Sequence, residues 1–186
     1  MTITPPFAAV ELDLGVGRWT IDPVHSEVGF SVRHLMSKVR GQFTAFSGVI
    51  TTSGQPELSA VEVSIESGSI TTHNEQRDGH LRSADFFDPN SGGELRFVST
   101  GVTASAEGYL IHGDLTINGI TRQVDLAADF LGVDVDAYGQ TRLGAEASTS
   151  IDRRDFNVTF NIPLDGGKLL IGDKIDITLN VEAVRV

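Results

Sequence analysis

The histidines are the side chains of this sequence best suited to proton transfer or metal binding near neutral pH. The five are His25, His34, His73, His80 and His112. His25 and His34 are an odd number of residues apart, which places them on opposite faces of an unbroken strand, so they do not predict a shared metal site. His25, His34 or His80 with a carboxylate such as Asp85 could instead catalyse a reaction on a hydrophobic substrate, which is one hypothesis for function.

The motifs of common hydrolases, nucleotide-binding proteins and metalloproteases are absent from the sequence. It contains no Gly-x-Ser-x-Gly elbow, no glycine-rich phosphate loop and no His-Glu-x-x-His. The chain also has no cysteine, which excludes thiolate catalysis, disulfide bonds and cysteine-ligated metals. We therefore predict that the protein is not an enzyme and that it has no catalytic residue, no metal and no cofactor.

Two clusters of basic residues stand out in a chain that carries 14 Lys and Arg against 25 Asp and Glu. Arg33, His34, Lys38 and Arg40 form the first cluster, and the second is the segment Asp152-Arg153-Arg154-Asp155 at 152–155. Arginine donors match the geometry of phosphate oxygens. Each cluster is therefore either a solvated turn whose charges pair locally or an anion site at the mouth of a pocket.

The net charge of −11 is spread along the whole chain. Such a surface repels phosphate backbones and anionic lipid headgroups, so nucleic acid and charged membrane surfaces are poor candidate partners. We expect no nucleic acid partner and no stable membrane insertion. No apolar run is long enough to span a bilayer, and the first residues lack the basic start of a signal peptide. We expect a soluble, cytoplasmic protein with a flexible N-terminal segment over residues 1–16.

Apolar residues recur at every second position through most of the chain. Examples are Val28, Phe30 and Val32, then Phe156, Val158 and Phe160, and finally Ile175, Ile177, Leu179 and Val181. This period predicts antiparallel strands with one face in water. Asn118-Gly119 predicts a two-residue hairpin turn. Only residues 33–40 and 74–88 could form short helices.

Strands in this number either close into a barrel or stack as a sandwich. Gly17-Arg18-Trp19 favours the barrel, because a Gly-x-Trp in the first strand is similar to the lipocalin signature, in which the indole fills the closed end. An eight-stranded barrel is filled by its own side chains or leaves room for one apolar ligand.

Longer segments along almost the entire chain are similar to one family. They occur in the family's order at residues 19–34, 39–43, 46–48, 77–88, 113–121, 151–156 and 171–175. Among them are Arg77-Asp78-Gly79-His80 and Ile151-Asp152-Arg153-Arg154-Asp155-Phe156. In this combination the sequence resembles the YceI-like family of polyisoprenoid-binding proteins.

This resemblance implies an all-β, extended eight-stranded antiparallel lipocalin-like barrel with one or two short helices, in a single domain over residues 17–186. It also implies an apolar channel that binds a polyprenyl phosphate or an isoprenoid quinone for storage, transport or sequestration. Two departures from the family are visible. Many members carry a secretion signal that is not seen here, and Asn157 stands where the family often has glycine, which would alter the local bend.

The predicted ligand site has an apolar wall and a polar end. The wall residues are Phe30, Val32, Phe43, Phe97, Leu115, Ile117, Phe156, Phe160 and Ile177. The residues placed near a head group are Arg33, His34, His80 and Arg153. A barrel filled by its own side chains would instead be a stress-related interaction module, and edge strands would allow a homodimer.

Overall fold

A computed structural model describes residues 14–88, 90 and 92–186 of the chain. The described residues form eleven strands and one α-helix. The first six strands and the helix are β1 (Val16–Ile21), β2 (Glu27–His34), β3 (Ser37–Phe43), β4 (Phe46–Ser53), β5 (Ala60–Glu66), β6 (Ile70–Thr71) and α1 (Glu75–Leu81). The remaining strands are β7 (Glu94–Ser105), β8 (Gly108–Ile117), β9 (Ile120–Val135), β10 (Thr141–Asp152) and β11 (Ile171–Arg185).

The strands form a closed antiparallel barrel. Eight of them pair in the order β1-β4-β5-β7-β8-β9-β10-β11, and β11 then pairs with β1 through Trp19 opposite Arg185 and Ile21 opposite Ala183. The earlier part of β11 pairs with β2, which carries β3 and β6 beside it. The predicted eight-stranded, all-β barrel is confirmed. Closure follows from β11, because its length lets it pair with β1 at one end and with β2 at the other.

Local turn chemistry sets the strand pairing. Asn118 and Gly119 have φ angles of 51° and 73° and join β8 to β9 directly, as their sequence predicts. Residues 33–40 form a hairpin rather than a helix, because they belong to β2 and β3 and are joined at Leu35-Met36. Leu35 takes a left-handed φ of 53°, which a two-residue hairpin turn requires.

The short helix α1 is held by polar contacts. The side chain of Asn74 caps its first turn by accepting a hydrogen bond from the amide of Arg77 at 2.9 Å. Burial alone would raise the pKa of Asp78, but hydrogen bonds from the Thr72 amide and from the hydroxyls of Thr72 and Thr71 lower that pKa below its ordinary value. These bonds fasten the helix to β6 even though Gly79 weakens it.

Two glycines allow aromatic rings to lie flat against the barrel wall. Gly41 stands opposite Phe30, and a Cβ atom at Gly41 would come within 2.5 Å of the Phe30 ring. The ring of Phe97 covers Gly113 in the same way. A side chain at either glycine would displace the ring toward the barrel interior, so these positions control how much of the interior is filled.

The predicted flexible segment lies largely outside the described residues. Of its last three positions, Leu14 is buried in the core beside Trp19 and Val16 begins β1. The barrel structure therefore starts slightly before the predicted boundary at residue 17.

Candidate functional site

One end of the barrel is closed by Trp19. Its side chain is 1% exposed, and its indole Nε1 donates a hydrogen bond of 3.0 Å to the Thr52 hydroxyl. The guanidinium of Arg185 lies over the indole, 5.6 Å from the ring centroid. Leu143 and Ala183 belong to the same buried cluster as Trp19. The role predicted for the Gly-x-Trp segment agrees with this geometry.

The interior is solidly packed along β7, β8 and the start of β9. Among the predicted wall residues, five are buried in one apolar cluster: Phe43, Phe97, Leu115, Ile117 and Phe156. Phe30 and Phe160 pack against the same core but keep part of their surface exposed. The rings of Phe30, Phe43 and Phe87 form a chain of contacts with centroids 5.9 and 5.7 Å apart.

The opposite wall, on β2, β10 and β11, is packed less completely. Beyond Leu143 and Ala183, which are buried at the end closed by Trp19, its inward-facing apolar side chains are only half-buried, among them Val28, Phe30, Val32, Ala147, Ile151, Ile175, Ile177 and Leu179. Ile177 lies opposite Phe30, and Ile175 lies opposite Val32. In a closed barrel, inward side chains that keep solvent exposure border space that the protein itself does not fill. This wall is the candidate binding surface.

Small side chains lie at the centre of the same region. Ala128 on β9 is opposite Ala147 on β10, which is opposite Leu179 on β11. These three residues help line an open groove of about 600 Å³ over β8 to β11, whose lining also includes the outward-facing Ser148 and Thr178. A second open groove, of about 570 Å³, continues along β9 to β11, and both grooves are lined by the exposed residues Glu146 and Asn180. Both grooves therefore border the outer face of the sheet as well as the small inward residues.

A polar group lies beside the aromatic end of the core. The Nε2 atom of His80, on α1, is 2.8 Å from a carboxylate oxygen of Asp85. The His80 ring contacts the edges of Phe86 and Phe160, at centroid distances of 5.1 and 4.7 Å. The pair proposed from the sequence, His80 with Asp85, is therefore in hydrogen-bond contact next to a predicted wall residue.

The first basic cluster divides between the two faces of the β2–β3 hairpin. His34 is half-buried and shares the inward side with Val32, whereas Arg33 is exposed. Arg33 is paired directly with Lys38, and Ser31 with Arg40, so the three basic side chains project from the outer face. Of this cluster, only His34 faces the interior.

The structure gives Arg153 a different position from the predicted pocket mouth. The side chain is 5% exposed, and its Nε donates to the carbonyl of Gly172 at 3.0 Å. Its Nη1 donates to the carbonyls of Val158 and Phe160, both at 2.8 Å, and its Nη2 lies 3.1 Å from Asp173. These bonds tie the segment between β10 and β11 together. They commit the Arg153 donors to the protein, which corrects the predicted head-group role.

Arg154, its exposed neighbour, pairs locally. Its Nε and Nη2 donate to the two carboxylate oxygens of Asp152, and its Nε also lies 3.3 Å from Asp173. The hydrogen bonds from Arg154 lower the pKa of Asp152 to about 2. Of the two readings of segment 152–155, the structure favours locally paired charges over an anion site.

Two asparagines near this segment have roles that the sequence did not predict in full. The side-chain amide of Asn118 donates to the carbonyl of Phe86 at 2.7 Å and accepts from the amide of Asp88, so the β8–β9 turn also fastens the segment that follows α1. Asn157 adopts the left-handed conformation with φ of 59°, which asparagine tolerates better than most residues. It supplies the bend that glycine commonly provides.

Arg142 is the centre of a charged network that sequence reasoning missed. Its Nη1 is 2.8 Å from Asp22 and 3.2 Å from Glu182, and its Nε is 2.7 Å from Asp136. His25 lies 2.8 Å from the same Asp22 oxygen that Arg142 binds. Asp136 lies in the same hairpin as Arg142, but Asp22 and Glu182 are distant in sequence and reach Arg142 only through the pairing of β10, β11 and β1.

This network predicts a dependence of stability on acid. Hydrogen bonds from Arg142 lower the pKa of both Asp22 and Asp136 below their ordinary value of 3.8. A carboxyl whose pKa is lowered on folding stabilises the protein above its unfolded pKa, and that stabilisation is lost as the pH falls toward its folded pKa. We expect little change in stability from these groups above about pH 5 and a decline below about pH 4. The Arg142→Met substitution should flatten the decline, measured by urea unfolding at several pH values, whereas an unchanged slope would contradict this role.

Comparison with known proteins identifies the family. The model of the YceI-like domain matches residues 19–183, which run from the buried indole at the closed end to β11. The chain belongs to the YceI-like family. A UPF0312 protein of Photorhabdus laumondii is 37% identical over 163 residues, which cover 87% of this chain and 82% of that protein. The family recognised from short segments is thus confirmed.

Solved structures share the YceI-like barrel. The YceI protein of Campylobacter jejuni is 29% identical and has a TM-score of 0.70, covering 82% of this chain and 88% of that one. A polyisoprenoid binding domain from Saccharophagus degradans, implicated in plant cell wall breakdown, has a TM-score of 0.67 at 14% identity and covers 92% and 100% of the two chains. At that identity the likeness concerns the fold. Within the part of the chain that the structure describes, no helix is both long and apolar enough to cross a bilayer.

Proposed function

We propose that this YceI-like barrel binds an isoprenoid chain, or a related long-chain lipid, for storage, transport or sequestration. The observation that carries the proposal is the half-exposed apolar wall of β2, β10 and β11, represented by Val32, Ile177 and Leu179. This wall lies between the end closed by Trp19 and the aromatic cluster around Phe160. The family membership and the shared fold with a polyisoprenoid binding domain support it.

The free energy of burying an isoprenoid chain is sufficient for useful affinity. Each buried methylene contributes about 0.8 kcal/mol, so two or three isoprene units contribute roughly 8–12 kcal/mol. A micromolar complex requires about 8 kcal/mol in total, and ordering the chain reduces the gain. Apolar burial therefore explains binding without any catalytic group.

The polar end of the ligand would lie where α1 meets the barrel. His34 is the inward polar residue at the end of β2, and His80 is held beside Phe160. An imidazole can donate a hydrogen bond to a quinone carbonyl or to a phosphate oxygen. We propose these two histidines as the head-group contacts, because Arg33, also predicted there, projects from the outer face of β2 and away from the interior.

Native mass spectrometry and organic extraction of the protein purified from a bacterial host test the proposal directly. We expect a prenyl lipid in the extract and binding of prenyl alcohols and prenyl phosphates to the emptied protein. Absence of lipid together with failure of every prenyl probe would overturn the proposal. A second candidate, catalysis by the His80–Asp85 pair, is favoured by their contact of 2.8 Å, and it predicts that the extracted lipid is chemically converted rather than returned unchanged.

Filling the interior should abolish binding. Ile177→Trp adds a large side chain to the half-exposed wall opposite Phe30 and should weaken binding of a prenyl probe at least about tenfold, or 1.4 kcal/mol. Thr20→Trp, at an exposed outward position of β1 that lines neither groove, is the control and should change affinity little. Fluorescence titration measures both, with circular dichroism to verify folding. An equal or stronger effect of Thr20→Trp would contradict the interior site.

A further inference from the structure

Two hairpin tips lie side by side at one edge of the barrel. The first is the turn Leu35-Met36 between β2 and β3. The second is a small hairpin over residues 162–170, in which the amide of Leu170 donates to the carbonyl of Ile162 at 3.0 Å. The Leu35 amide donates to the Leu170 carbonyl at 2.9 Å. This bond holds the two tips next to each other.

The two tips together expose four large apolar side chains, Leu35, Met36, Ile162 and Leu169, which we call the hairpin-tip patch. Met36 is 89% exposed and Leu169 is 54% exposed. A single exposed apolar side chain is ordinary, but a group of them on adjacent tips commonly marks an interaction surface.

Basic side chains border this patch. Arg33, Lys38 and Arg40 project from the outer face of the first hairpin, and Lys168 precedes Leu169 in the second. Lys38 pairs with Asp176 at 3.3 Å. Among residues 14–88, 90 and 92–186, no ion pair involves Arg33, Arg40 or Lys168. One acidic residue, Asp165, lies within the second tip and is exposed. Asp173, which follows that tip, is bound by Arg153 and Arg154.

We propose that the hairpin-tip patch docks the protein on the surface of an anionic lipid bilayer. Exposed apolar tips can enter the headgroup region, and basic side chains beside them are attracted to anionic lipids. The overall charge of −11 repels an anionic bilayer only weakly at the patch, because salt at physiological ionic strength screens charges more than about 8 Å away.

Charge favours a bilayer over a second copy of the chain as the occupant. A two-fold interface brings the same surface of both copies together, so the excess of basic residues at the patch, Arg33, Arg40 and Lys168 against Asp165, would be doubled within one interface. An anionic membrane complements these charges instead. The patch also adjoins the proposed polar end of the ligand, since Leu35 follows His34 and Ile162 lies just after Phe160. This inference rests on the proposed function, because docking on a bilayer would serve to receive the lipid or to deliver it.

Vesicle co-sedimentation of the full chain tests this docking. We expect binding to phosphatidylcholine vesicles that contain about one-third phosphatidylglycerol, weak binding to phosphatidylcholine alone, and loss of binding at high salt. The double substitution Met36→Ser with Leu169→Ser should weaken binding at least tenfold, as should Arg33→Gln with Arg40→Gln and Lys168→Gln. The matched controls are Val24→Ser with Tyr138→Ser, at exposed apolar positions outside the patch, and Arg18→Gln.

The possible results separate docking from ligand binding. Patch variants that lose vesicle binding but retain lipid by native mass spectrometry support docking. Patch-dependent vesicle binding by a protein that holds no lipid and binds no prenyl probe supports docking and overturns the proposed function. No binding to anionic vesicles, equal binding to neutral ones, or an equal loss in the control variants overturns the proposal. A dimer in light scattering that Met36→Ser disrupts, without vesicle binding, also overturns it and assigns the patch to a second copy.

Discussion

Replacing Arg153 by methionine will lower the free energy of unfolding by about 3–5 kcal/mol, the usual result of removing one partner from a buried ionic group. Methionine retains much of the side-chain volume but leaves the carbonyls of Val158, Phe160 and Gly172 without their donor. It also leaves Asp173 without its buried partner. For a chain of this size the loss corresponds to a fall in melting temperature of about 10 °C. Urea unfolding and thermal denaturation measure it.

Arg154→Met is the control because it changes the same residue type at the next position. Arg154 is exposed and pairs with Asp152 at the surface, where ion pairs contribute about 0–1 kcal/mol. We expect its stability to stay close to that of the unchanged protein. If the two variants lose similar stability, the bonds of Arg153 to the segment between β10 and β11 do not hold that segment in place.

Trp19→Ala will also cost about 3–5 kcal/mol, because it removes a fully buried aromatic side chain and leaves a cavity. The substitution additionally leaves the Thr52 hydroxyl without the indole donor and removes the ring beneath Arg185. Since Trp19 closes one end of the barrel, water will gain access to the interior. Thermal denaturation measures the stability, and binding of an apolar dye measures the opening.

Val16→Ala, on the same strand, provides the comparison. Val16 is exposed, so this substitution should change the unfolding free energy by less than about 0.5 kcal/mol. A Trp19→Ala variant as stable as Val16→Ala would show that the end of the barrel is closed by other residues. A stable variant that takes up more prenyl probe would indicate that the indole occupies space the ligand can use.

The strands and their inward faces could be predicted from the sequence because each depends on local alternation. Val28, Phe30 and Val32 turn their side chains to one face of any extended strand. Asn118-Gly119 likewise has few alternatives to a tight hairpin turn. Helix α1 can also be predicted from the sequence, since Asn74 supplies its cap within the same segment. The stretch 33–40 was the ambiguous case, because short runs of mixed residues fit a turn or a helix equally well.

Only part of the candidate site can be predicted from the sequence, for a physical reason. The sequence predicts an apolar wall, but it cannot separate the tightly packed Phe97 and Leu115 from the half-exposed Val32 and Ile177. That difference depends on what lies across the barrel, where residues from distant strands meet. The His80–Asp85 contact was predictable because both residues lie in one short segment.

The sequence by itself determined the strand pattern, the main hairpin and the family of this protein, because these follow from residue order and neighbouring residues. Only the tertiary structure decided which charges are structural. Arg153 looks like its neighbour Arg154 in the sequence, yet barrel closure buries the first and exposes the second. Arg142 finds Asp22 across the closed sheet. Such contacts depend on which strands become neighbours, and no local pattern specifies that.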